Sequence, residues 1–525
     1  MNPEPARTQL LSIIAHARAG ALDHAWAMYG DLPPGLEADP AALSVKGRLL
    51  KDMALRASGA DRQQLYCDAA DAYREAARLG GATYPLINAA TLSLLCGEHP
   101  QSRTLAQDTL DRIELHPDEP ETPYYRAATR AEALLLLDRE GDAQHALAEA
   151  IALAPMAWED HASTLRQFAI ILATQGRGAA WLDAHRPPRS LHFGGHMAFR
   201  ADSGPTALAG EIAAVLEAER IGFGYGALAA GADIIVAEAL LERGAALHVV
   251  LPGGIHGFAA VSVDPHGPEW RRRFDAALAR AETVRTVEPH ALPDETMIAL
   301  ADEIAMGSGL INARLLASEG VQLLVLPEPD EGEESASARS RDAWSQIGRR
   351  QHVIRAPREP VDLPSDLPVP APRRRIAALS VRAAFAGEEK AWLTVIKTAL
   401  EQCPAPDMPP AFTGQDIELG YDDIVHAARA ATILAGEALR VGGHYGIADQ
   451  VEDPFAGTLR LVGRAIGLAG AAAASAPAGT VCITEDFAAA LAAAAPDDFR
   501  AECVGELGAT GGETPIGLFA LKPLS

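Results

Sequence analysis

The stretch IGFGYGALAAGADIIVAEALLERGAALHVVLP, residues 221–252, decides the fold of the middle of this chain. Two short runs rich in apolar residues flank a segment whose Ala, Ile and Leu recur at helical spacing. A strand, a helix and a second strand in this order imply a right-handed crossover between parallel strands. The stretch therefore predicts one unit of a parallel sheet that helices cover on both faces.

The same alternation of short strands and helices continues on both sides of this stretch. Four further strands are predicted at SLHFGG, TVRTVE, VQLLVLP and RQHVIRAP. Helices are predicted between the strands, including GPTALAGEIAAVLEAER and PEWRRRFDAALARA. Residues 187–357 are therefore expected to form a Rossmann-like α/β domain around a parallel sheet.

The composition changes after this domain. Six prolines between Pro357 and Pro372 are too many for a helix or a central strand, and they predict a stiff, extended linker over residues 358–374. From residue 375 onward the pattern is strand, helix, strand, helix and further short elements. Residues 375–525 are therefore expected to form a separate α+β domain.

Residues 1–186 are rich in Ala and Leu at helical spacing, and turn signals divide them into paired helices. In the last pair, the small residues Ala143, Ala146 and Ala150 would let two helices approach closely, and Pro155 would end the second helix. Three pairs stand out, at RAGALDHAWAMY, TYPLINAATLSLLCGEHPQSRTLAQDTLDRI and RAEALLLLDREGDAQHALAEAIALAP. The whole chain is thus predicted to be multidomain: all-α helical repeats, a parallel α/β sheet and an α+β domain.

Length, charge and cysteine usage narrow the class of protein. The 525 residues include 48% hydrophobic residues and carry a net charge of −25, which disfavours binding to nucleic acid or to an anionic membrane surface. No apolar run is long enough to span a membrane and no secretory signal is evident, so a cytoplasmic protein is expected. The five cysteines are scattered without a C-x-x-C pair, so neither a disulfide framework nor a metal site is expected.

The N-terminal helix pairs resemble tetratricopeptide repeats in a degenerate form. Within them, residues 45–92 are similar to the TRAFs-binding domain, which is known from apoptosis-signal-regulating kinases and from bacterial proteins of mixed architecture. A generic helical solenoid of similar composition is the alternative. Either reading implies a concave surface that binds a protein partner and carries no catalysis. The matching residues are Gly47, Lys51, Asp52, Tyr73, Arg74, Ala76, Ala77, Tyr84, Ile87 and Asn88.

Two glycine-rich loops of the middle domain are candidates for ligand binding. In a doubly wound sheet, ligands bind beyond the carboxyl ends of the strands, where glycine lets backbone N–H groups approach a phosphate. Neither loop has the spacing of a dinucleotide fingerprint or the Lys-Ser/Thr of a P-loop. The candidate residues are Gly194, Gly195 and His196 in the first loop, and Gly224, Gly226 and Gly231 in the second.

Residues 224–254 resemble the SLOG superfamily, which includes the DNA-processing protein A and the Lonely-guy phosphoribohydrolases. The resemblance implies a nucleotide at the glycine loops, with Asp233 and Glu238 accepting hydrogen bonds from ribose hydroxyls. Asp233 could equally be an acidic residue favoured at a helix start, and Glu238 a solvated helix residue. The phosphoribohydrolase motif P-G-G-x-G-T-x-x-E lacks its threonine and glutamate here, which puts hydrolysis in doubt. His196 and His256 are alternative acid–base residues.

The last 150 or so residues resemble a class III adenylate/guanylate cyclase domain, which has a ferredoxin-like fold. Several frame motifs of that family have matching segments in this chain. Their places in the sequence pin the register on both sides of the catalytic motifs. The matching segments are Asp422-Asp423-Ile424, residues 440–446, Asp453-Pro454 with Gly457, Gly463, residues 477–481, residues 484–487 and Val504-Gly505.

The family's chemical residues are replaced at five positions. Val381 stands at the first metal-binding aspartate and Gln415 at the second, while Ala384 replaces a motif glycine. Asp416 is one residue away from the second aspartate position, which on a strand points to the opposite face. The remaining three replacements are Ala411 for the purine-selecting lysine, Gly467 for the asparagine and Ala471 for the arginine.

The sequence therefore favours a non-catalytic signalling or scaffold protein. Its repeats would bind a protein partner, its middle domain would sense a nucleotide, and its cyclase-like domain would form a homodimer. A bound nucleotide is the one cofactor implied, and cyclase activity is not expected. Two alternatives stay open: an enzyme acting on a nucleotide or NAD-like substrate in the SLOG-like domain, and the regulatory half of a heterodimeric nucleotide cyclase.

Overall fold

The computed structural model describes residues 3–116, 122–197, 205–327, 336–357, 373–383, 389–413, 416–436, 439–452, 457, 459–508 and 515–524. These residues divide into two compact units, namely residues 1–187 with 315–317, and residues 188–314 with 318–525. The predicted fold class is confirmed: helices come first, a parallel sheet follows, and a mixed sheet comes last. None of the described helices is long and apolar enough to cross a membrane.

The first unit consists of helices that pack in consecutive antiparallel pairs. A short 3-10 helix, Ala180–His185, follows the last of them. The α-helices are α1 (Pro3–Arg18), α2 (Leu22–Gly30), α3 (Pro40–Arg56), α4 (Gly59–Gly80), α5 (Thr83–Leu95), α6 (His99–Leu115), α7 (Pro123–Leu136), α8 (Glu140–Leu153) and α9 (Trp158–Thr174).

Small residues and tight turns set the geometry of these pairs. Gly97 has φ +91°, a left-handed conformation that lets the chain reverse between α5 and α6. Gly47 of α3 lies against the ring of Tyr73 of α4, where an added Cβ would come within 2.5 Å of the ring. On α8, Ala143 and Ala150 are fully buried, as the sequence predicted. The residues that resemble a known repeat family thus include ones that fix how α3 and α4 pack.

The second unit begins with a six-stranded parallel sheet. All six predicted strands are present, each within about one residue of its predicted position. The strands are β1 (Arg189–Gly195), β2 (Ile221–Gly226), β3 (Ala246–Pro252), β4 (Thr283–Val287), β5 (Gly320–Leu326) and β6 (Arg350–Arg355). The helices are α10 (Pro205–Ala218), α11 (Ala232–Glu242), α12 (Ile255–Ser262), α13 (Pro268–Arg280), α14 (Glu295–Leu315) and α15 (Ala336–Gln346).

The strand order in this sheet is β4-β3-β2-β1-β5-β6, and every neighbouring pair is parallel. The chain therefore winds outward in one direction from β1 and in the other from β5. Ligands of doubly wound sheets bind where this direction reverses, so the carboxyl ends of β1 and β5 mark the expected site. One face of the sheet packs its apolar residues against α10, α11 and α13.

A mixed sheet of eight strands follows in the second unit. Its first strand begins at Arg373, and residues 358–372 of the predicted linker lie outside the described residues. The strands are β7 (Arg373–Arg382), β8 (Met408–Thr413), β9 (Asp416–Tyr421), β10 (Arg440–Glu452), β11 (Leu459–Val462), β12 (Thr480–Thr484), β13 (Phe499–Leu507) and β14 (Ile516–Pro523). The helices are α16 (Glu389–Leu400), α17 (Ile424–Ala435), α18 (Arg464–Ser475) and α19 (Glu485–Ala494).

The strand order in the mixed sheet is β13-β14-β12-β10-β7-β9-β8, with β11 paired to β10. The elements from β7 to β10 follow the order β-α-β-β-α-β, and their strands lie in the ferredoxin-like arrangement that the sequence predicted. Apolar residues of α16, α17 and α19 cover one face of the sheet. Helix α18 covers the other face, over β10, β7 and β12.

Helix α14 belongs to the cores of both sheets. Its buried residues pack with Tyr225 of β2 and also with Leu379 and Tyr445 of the mixed sheet. The contact with α19 is so close that a Cβ on Gly307 would overlap the backbone of Ala489. The parallel sheet and the mixed sheet therefore share one hydrophobic core, although the sequence predicted two separate domains joined by a linker.

Candidate functional site

The structure brings the two predicted glycine loops together at the carboxyl end of β1. Gly194 and Gly195 end this strand, and the residue that follows accepts a hydrogen bond from the N–H of Ala232 at 3.3 Å. Gly231 is the N-cap of α11, with φ +132°, a conformation that favours glycine. Met197 forms an isolated β-bridge with Gly231. The start of α11 therefore lies directly over the end of β1.

Close packing accounts for most of these glycines. A Cβ on Gly195 would overlap the side chain of Ala232, and one on Gly224 would overlap Leu240. A Cβ on Gly226 would lie 2.6 Å from the carbonyl oxygen of Phe193. These glycines let α11 pack closely on β1 and β2, and let β2 lie close to β1. This packing requires glycine whether or not a ligand binds. Gly194, whose Cβ would meet only Leu324 at 3.6 Å, is free of this constraint.

Asp233 is a buried carboxylate in the first turn of α11. Its side chain is 6% exposed and accepts a hydrogen bond from the N–H of Ala229 at 3.1 Å. The backbone of Gly195 also stabilises this carboxylate, but Oδ1 makes no hydrogen bond of good geometry among the described residues. Burial raises the pKa of Asp233 to about 7, and the nearby carboxylate of Asp302 adds to this rise. Asp233 can therefore exchange a proton near neutral pH and has one oxygen left for a donor.

His196 is held in place by two backbone carbonyls. Its Nε2 lies 2.9 Å from the oxygen of Ala356, beyond the end of β6, and its Nδ1 lies 3.1 Å from the oxygen of Met197. The residue is 7% exposed. Both ring nitrogens are thus engaged with the backbone, which is typical of a positioning residue. His256, the other predicted histidine, lies exposed in the first turn of α12.

Glu238 lies apart from the glycine loops. It is seven residues beyond Gly231, a distance of roughly 10 Å along the helix axis. Its carboxylate forms a bidentate ion pair with Arg273 of α13, at 2.8 and 2.6 Å. The guanidinium of Arg273 also stacks over the ring of Trp270 at 4.2 Å. The structure therefore gives Glu238 a partner on the outer helix layer, away from the ends of the strands.

A buried polar network links β1, β5 and α14, and it was not predicted from the sequence. His192 of β1 hydrogen-bonds Asp302 of α14 at 3.1 Å through Nε2 and Gln322 of β5 at 3.0 Å through Nδ1. Both His192 and Gln322 are at most 1% exposed. His192 and Asp302 also act electrostatically on the carboxyl of Asp233. The signal in the sequence was a histidine and a glutamine inside otherwise apolar strands.

In the mixed sheet, Val381 is fully buried on the face covered by α16 and α17. Its neighbours on β7 point to the opposite face, where Arg382 lies directly across from Asp416 of β9. Arg382 forms two hydrogen bonds with the Asp416 carboxylate, at 2.6 and 2.8 Å, and these raise the pKa of the guanidinium. Ser380 donates a third at 3.1 Å. The carboxylate of Asp416 is therefore neutralised by an arginine.

Two other replaced positions line one cavity of about 330 Å³. Ala411 lies on β8 and Gly467 in the first turns of α18, and neither fills the space between these elements. Ala471 lies one turn further along α18. Gln415 and Ala384 lie outside the described residues, as does the predicted Asp453-Pro454 turn.

The frame motifs have structural roles in the mixed sheet. Asp423 is the N-cap of α17, where its carboxylate accepts hydrogen bonds from the N–H groups of Val425 at 2.7 Å and His426 at 3.1 Å. Gly463 is the N-cap of α18 with φ +142°, and Thr484 is the N-cap of α19. These residues begin helices, so a chain can keep them after its catalytic residues are lost.

Comparisons with known proteins found one family model and several solved structures that resemble parts of this chain. Residues 1–93 match the family model of Tetratricopeptide Repeats-Sensor, TPR-S. The adenylyl cyclase CyaB from P. aeruginosa is similar at 12% identity, over 29% of this chain and 96% of that chain, with a TM-score of 0.24. No curated protein matches the chain.

Two further solved structures are similar to this chain. The adenylate/guanylate cyclase/hydrolase from Silicibacter pomeroyi has 18% identity over 30% of this chain and all of that chain, with a TM-score of 0.24. The guanylate cyclase domain of RhGC from Catenaria anguillulae has 12% identity over 30% of this chain and 100% of that chain, with a TM-score of 0.23. The chain thus joins N-terminal helices, of which residues 1–93 match the repeat model, to a six-stranded parallel sheet and a C-terminal mixed sheet.

Proposed function

We propose that this chain is a non-catalytic signalling or scaffold protein whose cyclase-like sheet no longer makes a cyclic nucleotide. The buried Val381, which stands where the resemblance implies a metal-binding aspartate, carries this proposal, and the ion pair of Arg382 with Asp416 supports it. A cyclase needs carboxylates free to hold divalent cations that gather the triphosphate. Here valine and arginine occupy the adjacent positions of β7, and the guanidinium takes the lone pairs that a cation would need.

The middle sheet is proposed to bind a nucleotide at the carboxyl end of β1. Three features support this: the start of α11 over the strand end, the unpaired Oδ1 of Asp233, and the reversal of winding between β1 and β5. A ribose hydroxyl would supply the donor that Oδ1 lacks. The SLOG resemblance of residues 224–254 stays part of this proposal.

Calorimetry on the full chain tests the nucleotide proposal, since α14 joins the two sheets and an isolated fragment would lose part of its core. ATP, cyclic nucleotides, NAD and ADP-ribose are the probes. We expect one of them to bind, and Asp233→Asn to weaken it by about tenfold, the loss of one hydrogen bond to a charged group. Glu238→Gln is the matched control and should leave the affinity unchanged. The absence of binding for all four probes would contradict the proposal.

A second candidate function is an enzyme that acts on the same nucleotide or on an NAD-like substrate. The observation that favours it is the pKa of Asp233, which burial raises to about 7, because general acids and bases work best near the ambient pH. Turnover of the bound nucleotide that is abolished by Asp233→Asn, with binding retained, would support this candidate. Binding without turnover would favour the sensor.

The helical repeats are proposed to bind a protein partner of the kind that the TRAFs-binding resemblance implies. Tyr84 of α5 and Tyr125 of α7 support this, because they are 53% and 45% exposed although aromatic side chains are favoured in interfaces. The hydroxyl of Tyr125 donates to Asp160 of α9 at 2.5 Å. The cyclase-like sheet is proposed to form a homodimer.

A further inference from the structure

The cavity that contains Ala411 and Gly467 has the dimensions of a small-molecule site. It lies between β8, β9, β11 and the start of α18, and its volume of about 330 Å³ falls at the lower end of the range for ligand pockets. A Cβ on Gly467 would have nothing within 4 Å, so this position faces open space. The cavity is separate from the nucleotide site proposed in the parallel sheet.

Apolar side chains form most of the cavity wall. Met408, Leu461 and Ile466 line it together with the two replaced positions. Leu459 and Val462 also line it and are 52% and 42% exposed. Leaving large apolar side chains in water is unfavourable, by about 25 cal/mol for each Å². A molecule that covered them would therefore bind through the hydrophobic effect.

One acceptor in the wall is left for a ligand. The carboxylate of Glu418 on β9 accepts a hydrogen bond from Thr413 of β8 at 2.9 Å, through Oε1. Among the described residues no other hydrogen bond to Glu418 is present, so Oε2 can accept one from a bound molecule. Pockets that combine an apolar wall with a few polar groups are typical of small-molecule sites.

The charges around the cavity disfavour a nucleotide. The purine-selecting lysine and the asparagine of the cyclase family are alanine and glycine here, so no side chain replaces their donors. Glu418 is negative, and the nearby Asp416 already has Arg382 as its counter-charge. A phosphate would meet the carboxylate of Glu418, while the guanidinium of Arg460, the one cationic group among the described lining residues, already has an interaction of its own.

We propose that this cavity binds an uncharged, planar, mostly apolar molecule that donates one hydrogen bond to Glu418. The ring would lie against Met408, Leu461 and Ile466 and would occupy the space that Ala411 and Gly467 leave open. This site would give the cyclase-like sheet a ligand of its own after the loss of its nucleotide chemistry. It does not depend on nucleotide binding in the parallel sheet.

Indole is a suitable probe, because it is planar and uncharged and has one N–H donor. We expect calorimetry on the full chain to give a dissociation constant of about 0.1–1 mM, which is ordinary for so small a ligand. Gly467→Leu should fill the cavity and weaken binding at least tenfold. Gly210→Leu is the matched control, since Gly210 also has nothing within 4 Å of its Cβ but lies on α10.

The hydrogen bond is tested with Glu418→Gln and with 1-benzothiophene, which has the same size but no N–H group. The substitution should weaken indole by about tenfold and leave 1-benzothiophene unchanged. The proposal is overturned if indole does not bind, or if Gly467→Leu leaves its affinity unchanged. Displacement of indole by ATP from the unsubstituted chain, together with direct ATP binding that is lost in Gly467→Leu, would also overturn it and would indicate a nucleotide site instead.

Discussion

Arg382 and Asp416 face each other on the neighbouring strands β7 and β9. The Asp416 side chain is 14% exposed and that of Arg382 is 29% exposed. A carboxylate in such a place needs a counter-charge, because burial of an unpaired charge is costly. The arginine supplies this charge permanently. The ion pair therefore lets the sheet bury most of this carboxylate without an unpaired charge.

Replacing Arg382 should show that the buried carboxylate of Asp416 needs this counter-charge. We expect Arg382→Met to lower the free energy of unfolding by about 3 kcal/mol, because it leaves Asp416 partly buried without a partner. The second variant, Arg382→Met with Asp416→Asn, should recover most of the loss. Arg500→Met, which breaks an exposed pair with Glu502, is the control and should cost less than about 1 kcal/mol. Thermal unfolding of the four proteins measures this, and an equal loss for Arg382→Met and Arg500→Met would refute it.

Asp233 should make the stability of the parallel sheet depend on pH. Burial raises its pKa from the usual 3.8 to about 7, so between these pH values the folded chain keeps a proton that the unfolded chain releases. Its contribution to stability is complete below about pH 4 and is lost as the pH rises towards 7, by roughly 4 kcal/mol for this shift. The melting temperature of Asp233→Asn should therefore fall less between pH 4 and pH 7 than that of the unsubstituted chain. Parallel pH profiles for the two proteins would contradict this.

At the residue level, the glycine loops could be located from the sequence, but the reason why each position is glycine could not be assigned. Gly195 and Gly224 match what a phosphate-binding loop would show, yet close packing of α11 requires them as well. Asp233 was interpreted either as a ribose-binding carboxylate or as an acidic helix-start residue, and it does lie in the first turn of α11. Its raised pKa, which comes from burial and from the distant Asp302, could not be predicted from the sequence. Glu238 meets Arg273 only after folding, and no spacing rule predicts a partner on another helix.

Among the elements, α14 has the largest effect on the second unit, because it packs against both sheets. Its Glu303 accepts a hydrogen bond from the hydroxyl of Tyr445 on β10 at 2.8 Å and pairs with Arg375 on β7. Burial raises the pKa of Glu303, while these partners oppose the rise. The apolar periodicity of α14 predicts a helix. Its burial on two sides could not be predicted, because one of the two sheets begins about 60 residues later in the chain.

The crossing of α14 and α19 is a place where a single methyl group should matter. We expect Gly307→Ala to lower the stability of the second unit by about 3 kcal/mol, because the added Cβ would overlap the backbone of Ala489, which cannot move as a side chain does. Gly210→Ala, in the open on α10, should change stability by less than about 1 kcal/mol. Thermal unfolding of Gly307→Ala and Gly210→Ala measures this difference in stability. Equal melting temperatures for the two variants would show that α14 and α19 do not meet this closely.

The first unit has a comparable position in Gly47, which lies against the ring of Tyr73. We expect Gly47→Ala to destabilise the packing of α3 on α4 by about 1–3 kcal/mol through overpacking. Gly141→Ala, at an open position of α8, is the control and should be neutral or stabilising. Hydrogen exchange of the amides in α3 and α4 measures the effect locally. Unchanged protection in Gly47→Ala would refute the close contact.

At the scale of the whole molecule, the order of folds could be predicted because each has its own periodicity. The parallel strands lie within about one residue of their predicted places, since buried apolar runs and glycine turns mark their ends. The shared core of the two sheets could not be predicted, because the proline-rich segment between them indicates separate domains. Local patterns determine the elements here, and contacts between distant elements determine how the sheets associate.

The proposed homodimer gives a prediction for the intact protein. We expect sedimentation equilibrium to report twice the chain mass of 55.2 kDa, and the mass to fall when the exposed surface of the cyclase-like sheet is altered. Phe412→Asp is suitable, because Phe412 is 53% exposed on the edge strand β8. A monomer at all concentrations would contradict the proposed homodimer but not the loss of catalysis.

The most direct test of the central claim is an assay for cyclic nucleotide formation by the full chain. The purified protein is incubated with ATP or GTP and Mn²⁺, and the products are measured by mass spectrometry. We predict no cyclic AMP or cyclic GMP above the level without protein, because Val381, Ala411, Gly467 and Ala471 supply no ligand or charge and Arg382 occupies Asp416. A cyclic nucleotide that forms in proportion to the protein, and that disappears in Asp416→Asn, would contradict this account.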